Sequence, residues 1–74
     1  MPLVDEVRMA KRLPAPEVAR MIRISAGVSQ TRLAQELNVH RMTVARWETG
    51  KRRPRAQVRV KYADLLDQLR REVA

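Results

Sequence analysis

The sequence predicts an all-α fold, a small bundle of four to five helices built as one domain over residues 1–74. Three observations predict it. Phe is absent and Trp47 and Tyr62 are the only aromatic residues, so Leu, Val, Ile, Met and Ala must build the core, a mixture that favours helices over strands. Apolar residues recur every three or four positions, the period of a helix with one buried face. Pro14, Pro16, Gly27, Gly50 and Pro54 fall between those runs rather than inside them, where residues that interrupt helices belong. A chain this short buries only about 60% of its unfolded surface, so the core must be economical.

The elements follow in order. Leu3, Val7 and Ala10 share helical spacing, with Asp5 and Glu6 near the start and Lys11 and Arg12 near the end. That polarity suits the helix dipole, and residues 3–12 are read as an extra N-terminal helix. After Pro16 the run from Glu17 to Ala26 places Ala19, Ile22 and Ala26 on one face, and Gly27 supplies a stop. Ser29 is a good N-cap for a helix over 30–37, with Leu33, Ala34 and Leu37 on its apolar face. Asn38 tolerates left-handed geometry better than most residues, so the chain turns sharply there and the pattern resumes with Val44 and Trp47. Thr49 and Gly50 close that helix. The basic loop Lys51-Arg52-Arg53-Pro54-Arg55 leads into a long C-terminal helix over 56–71, whose stripe Val58, Tyr62, Leu65 and Leu69 is expected to cover the core, with Leu66 and Val73 displaced around the axis.

Charge narrows the function. The chain carries a formal +8, and between Arg41 and Lys61 eight basic residues face Glu48 as the lone acid. Such clustering raises the local potential toward polyanions, of which DNA is the commonest partner. Cysteine is absent, which excludes disulfides and thiolate metal sites, and His40 is the one histidine. No credible nucleophile, metal set or acid-base pair emerges, so neither enzymatic activity nor a cofactor is expected. Without a run long enough for a signal peptide or a membrane span, the sequence predicts a cytoplasmic, nucleoid-associated protein.

Two short helices joined by a tight turn, with a small residue where they cross, make a helix-turn-helix unit, here over residues 30–49. Counted from Gln30, Leu33, Leu37, Val39, Val44 and Trp47 take the apolar positions and Ala34 the small one. Val28-Ser29-Gln30 through Leu33-Ala34, then Val39 to Val44, Arg46-Trp47-Glu48-Thr49-Gly50 and Arg53-Pro54 together resemble the Cro/CI repressor family, also called XRE-type, from about Ile22 to Leu69. The resemblance implies a lambda-repressor-like bundle. Two positions depart from the family pattern. Asn38 stands where glycine is usual, and His40 where a capping Ser or Thr is usual; each substitution costs up to about 1 kcal/mol.

The same resemblance assigns roles. Arg41, Met42, Thr43, Ala45 and Arg46 are expected to face the major groove, where an arginine bonds guanine O6 and N7 for roughly 1–3 kcal/mol of discrimination and a methionine rests on a thymine methyl. Ser29, Gln30, Thr49, Lys51, Arg52, Arg53 and Arg55 are expected on phosphates, Trp47 in the core, and Glu48 in a partly buried bond to Arg23. Pairing through the C-terminal helix, with Tyr62, Leu66, Leu69 and Val73 as candidates, implies a homodimer on a palindromic operator in double-stranded DNA. No membrane and no small-molecule ligand are expected as partners. With no room for a sensor module in 74 residues, the expected function is a Cro-like repressor acting by promoter occlusion. The alternative is a protein-interaction module, such as an antitoxin or an excisionase-like accessory factor with secondary DNA binding, docking through residues 1–13.

Overall fold

The computed structural model describes residues 1–5, 7 and 13–73. Among these are the helices α1 (Pro16–Ser25), α2 (Gln30–Leu37), α3 (Arg41–Glu48) and α4 (Ala56–Val73). Residues 2–5 and 7 are helical as well, with the Asp5 amide donating to the Met1 carbonyl at 3.1 Å. The remainder of the helix expected over 3–12 lies outside the described residues.

Local chemistry sets each boundary. Pro16 occupies the first turn of α1, where no amide proton is required, and Glu17 and Arg23 match the dipole at its two ends. Gly27, at φ +72, takes the left-handed step after α1. Ser29 Oγ accepts from the Arg32 amide at 3.0 Å and starts α2. Asn38 ends α2 in the left-handed region at φ 56, its amide donating to the Gln35 carbonyl at 3.2 Å and the Val39 amide to the Ala34 carbonyl at 2.9 Å, a closure that satisfies two carbonyls of the last turn.

His40 precedes α3 in extended geometry but its side chain makes no cap bond. The first amides of α3 are therefore served by no side chain, and His40→Ser is expected to raise unfolding stability by about 1 kcal/mol in thermal melts. An unchanged or lower melting temperature would mean that water or a neighbour already serves those amides.

The helices enclose one core of Ala19, Ile22, Leu33, Ala34, Leu37, Val44, Trp47, Tyr62 and Leu66. Val44 and Trp47 are the buried face of α3, and the Trp47 ring lies 4.9 Å from that of Tyr62, tilted by 34°, a separation that adds attraction beyond area burial. Helix α4 packs against α1 and α2, and this packing corrects the expected stripe. Tyr62, Ala63 and Leu66 are its buried residues, whereas Val58, Leu65 and Leu69 are half-buried against the core edge. Leu66, 1% exposed, is thus a core residue and not a displaced one.

Candidate nucleic-acid interface

The site begins in the core. Glu48, 5% exposed, receives Arg23 Nε on Oε2 at 2.6 Å and Arg23 Nη2 on Oε1 at 3.0 Å. The remaining guanidinium nitrogen, Nη1, donates to the Val28 carbonyl at 2.8 Å. A planar fork meeting a carboxylate at two points fixes direction as well as distance, so the end of α3 is tied to α1 and to the turn before α2. Tyr62 lies beside this pair. Burial, and then the Glu48 charge, push its phenol well above the usual range, so the hydroxyl keeps its proton.

From Glu48 the network runs outward. Gln30 Nε2 donates to Glu48 Oε1 at 3.0 Å, and Gln30 Oε1 accepts from Arg41 Nη1 at 3.2 Å. Arg41 Nη2 also meets Met42 Sδ at 3.4 Å. One amide side chain therefore links the buried ion pair to the first residue of α3, since an amide offers a donor at one end and an acceptor at the other. Sequence reasoning missed the Gln30–Glu48 bond and the Val28 carbonyl, because neither a backbone acceptor nor a contact 18 residues away leaves a periodic signal.

The outer face of α3 carries Arg41, Met42 and Arg46 exposed, with Thr43 and Ala45 half-buried beside them. Met42 is 45% exposed although apolar. Burial of Val44 and Trp47 on the opposite side, one helical turn apart, holds these residues outward. Thr43 and Arg46 share a cleft of about 540 Å³ with Lys51, Arg52, Arg53 and Arg55. The loop that supplies those cations is anchored: the Lys51 and Arg52 amides both donate to the Arg46 carbonyl, at 3.0 and 3.3 Å, and Pro54 in the same loop is buried. Two of the proposed base-reading residues and four of the phosphate-binding ones thus sit in one cationic cleft. Arg41, Met42 and Gln30 form a second, linked group at the start of α3.

The two hydroxyls differ in readiness. Ser29 Oγ accepts from its own helix and still has its proton to donate. Thr49 Oγ1 already donates to the Ala45 and Arg46 carbonyls, both at 3.2 Å, so it must leave them to meet a phosphate.

The C-terminal helix yields a correction. Tyr62, 2% exposed, and Leu66 are interior to the single chain and offer no docking surface, because α4 turns them onto α1 and α2. Leu69 is half-buried and Val73 exposed.

No helix among the described residues is long and apolar enough to cross a membrane. Comparison with curated proteins and with solved structures returned no match. A helix-turn-helix family model, however, matches residues 20–71, from the middle of α1 to near the end of α4, and so takes in the ion pair, helix α3 and the basic loop. The chain therefore belongs to the helix-turn-helix family of XRE, Cro/CI-like type, a family of DNA-binding transcription regulators.

Proposed function

We propose that the protein is a sequence-specific, Cro-like repressor that binds double-stranded DNA as a homodimer and acts by occluding a promoter. Helix α3 enters the major groove with Arg41, Met42 and Arg46 toward base edges and Thr43 and Ala45 alongside, while Ser29, Gln30, Thr49, Lys51, Arg52, Arg53 and Arg55 hold the backbone. The observation that carries this reading is the continuity of the exposed face of α3 with the cationic cleft. Bases and phosphates are adjacent in a groove, and a reader needs both kinds of contact within one rigid surface.

A two-fold dimer sets two copies of α3 about one DNA turn apart, roughly 34 Å, and so calls for a palindromic site. Of the apolar candidates for pairing, Leu69 and Val73 at the end of α4 remain accessible. Such a protein works in the cytoplasm, at the nucleoid. Selection of bound sites from random duplex DNA is expected to return a short palindrome with guanine in each half-site. Recovery of no enriched site at moderate salt would refute sequence-specific reading.

A second reading, as an interaction module of the antitoxin or excisionase-like kind, draws support from the outer face of α1. Val18, Met21 and Ile24 are exposed there three residues apart, as are Leu3 and Val7 nearer the N-terminus. It ranks second because an apolar stripe by itself selects no partner, whereas the cationic cleft selects a polyanion.

A further inference from the structure

Two donors in the core edge find no acceptor among the described residues. Arg59 Nε and the Tyr62 hydroxyl are both buried and, among those residues, without a hydrogen-bond partner. Native proteins leave few buried polar groups unpaired, and these two are three residues apart on α4 and therefore on one face. Both side chains line one cavity of about 510 Å³, walled by Leu13 and Pro14 ahead of α1, by Pro16 in its first turn, by Trp47, and by Arg52 and Arg53 of the basic loop.

The chemistry of the lining selects the occupant. A guanidinium only donates, and a phenol held in its protonated form by burial beside Glu48 also donates, so the complementary group is an acceptor. Three arginines at one cavity favour an anion over a neutral carbonyl. Proline, leucine and indole surfaces favour an apolar body behind the charge, which a bare phosphate lacks. The volume lies in the range of small-molecule sites, about 300–1,000 Å³.

We propose that this cavity is an effector site for a small organic carboxylate with an apolar or aromatic body, its oxygens accepting from Arg59 Nε and the Tyr62 hydroxyl. Both donor atoms are closed to water, so the carboxylate reaches them as lining side chains shift, and the exposed Arg52 and Arg53 turn toward its charge. These two arginines also line the cleft beside α3. An anion held against them draws positive charge from the phosphate-binding loop and weakens DNA binding. That last consequence rests on the DNA-binding reading, whereas the site itself does not. It also reverses the expectation that no small molecule binds.

The test uses the full chain without DNA, titrated with phenylacetate, with neutral phenylacetamide, with inorganic phosphate and with an acidic tetrapeptide. Trp47, the sole tryptophan, reports from the cavity wall by fluorescence, and the Arg59 Nε–H resonance reports by NMR. Phenylacetate is expected to shift both signals saturably, at least about tenfold more tightly than phenylacetamide or phosphate, and Tyr62→Phe is expected to weaken it about tenfold or more. Because the hydroxyl has no partner in the free protein, Tyr62→Phe should leave the melting temperature unchanged or raise it. Arg59→Gln provides an independent loss of affinity.

Absence of a saturable shift, equal binding of the amide or of phosphate, binding of the tetrapeptide alone, or a lower melting temperature for Tyr62→Phe overturns the site. Added phenylacetate is also expected to lower DNA affinity. Phenylacetate binding in a protein that retains no DNA affinity supports the site and rejects only the regulatory reading. Binding with DNA affinity unaltered overturns the coupling between the two.

Discussion

Glu48→Ala is expected to lower unfolding stability by about 3–5 kcal/mol, because it leaves the Arg23 guanidinium buried with the Val28 carbonyl as its remaining acceptor. For a domain of this size each kcal/mol moves the melting temperature by about 4–8 °C, and a total stability of about 5–15 kcal/mol leaves little reserve. The variant therefore melts tens of degrees lower, or is partly unfolded at room temperature. Loss of the carboxylate also strips Gln30 of its acceptor and so loosens Arg41, but the stability change comes first and is the larger. The pair as a whole is a different quantity, since desolvation of two charges offsets much of their attraction. A double replacement, Arg23→Met with Glu48→Leu, should for that reason recover most of what Glu48→Ala loses. Thermal melts of the three proteins decide the matter: an unchanged Glu48→Ala curve contradicts the buried pair, and a double variant no better than the single one shows that the pair contributes far more than an apolar substitute.

Much of this architecture is legible in the sequence because its boundaries are local. Ser29, Asn38, Gly27 and Gly50 each act on the backbone within a few residues, so the ends of α2 and α3 can be read one position at a time. The buried face of α4 is not local. Tyr62, Leu65, Leu66 and Leu69 admit two helical stripes that differ by about one residue, roughly 100° around the axis, and only packing against α1 and α2 selects the one through Leu66. For the same reason the sequence offered Tyr62 and Leu66 as docking residues when they are core residues.

The interface divides along the same line. Its charge is legible because eight basic residues cluster in the chain, and the helix that bears Arg41 and Arg46 follows from period. The sharing of one cleft by Thr43 and Arg46 with the loop cations is tertiary. So is the choice of Arg23 among many arginines for burial, which depends on a carboxylate 25 residues away; family resemblance indicated that pair, whereas periodicity could not. The two unpaired donors on α4 left no sequence signal at all, since Arg59 reads as one more member of a basic run.

The steepest expected response to conditions is that of DNA affinity to salt. Each phosphate neutralised by a cation releases condensed counterions and contributes about −0.9 to the slope of log K against log salt. If Lys51, Arg52, Arg53 and Arg55 each meet one phosphate, the slope is about −3.6 for one protomer and about −7 for two. Between 50 and 200 mM salt a single protomer then loses about 150-fold in affinity and a dimer on the order of ten-thousand-fold, so the magnitude of the slope also reports how many copies bind. Lys51→Ala removes one such contact per copy: the slope should fall by about one per protomer, and binding should weaken alike on every sequence. Arg41 stands apart from that group because it is held by Gln30 at the leading end of α3 rather than on the loop. Arg41→Ala is expected to cost roughly 1–3 kcal/mol on the selected site and far less on random DNA, with the salt slope nearly intact. The reverse pattern, a lost slope for Arg41 and a lost base preference for Lys51, would mean that the loop and not the helix reads the bases, and α3 would then lie along the backbone instead of within the groove.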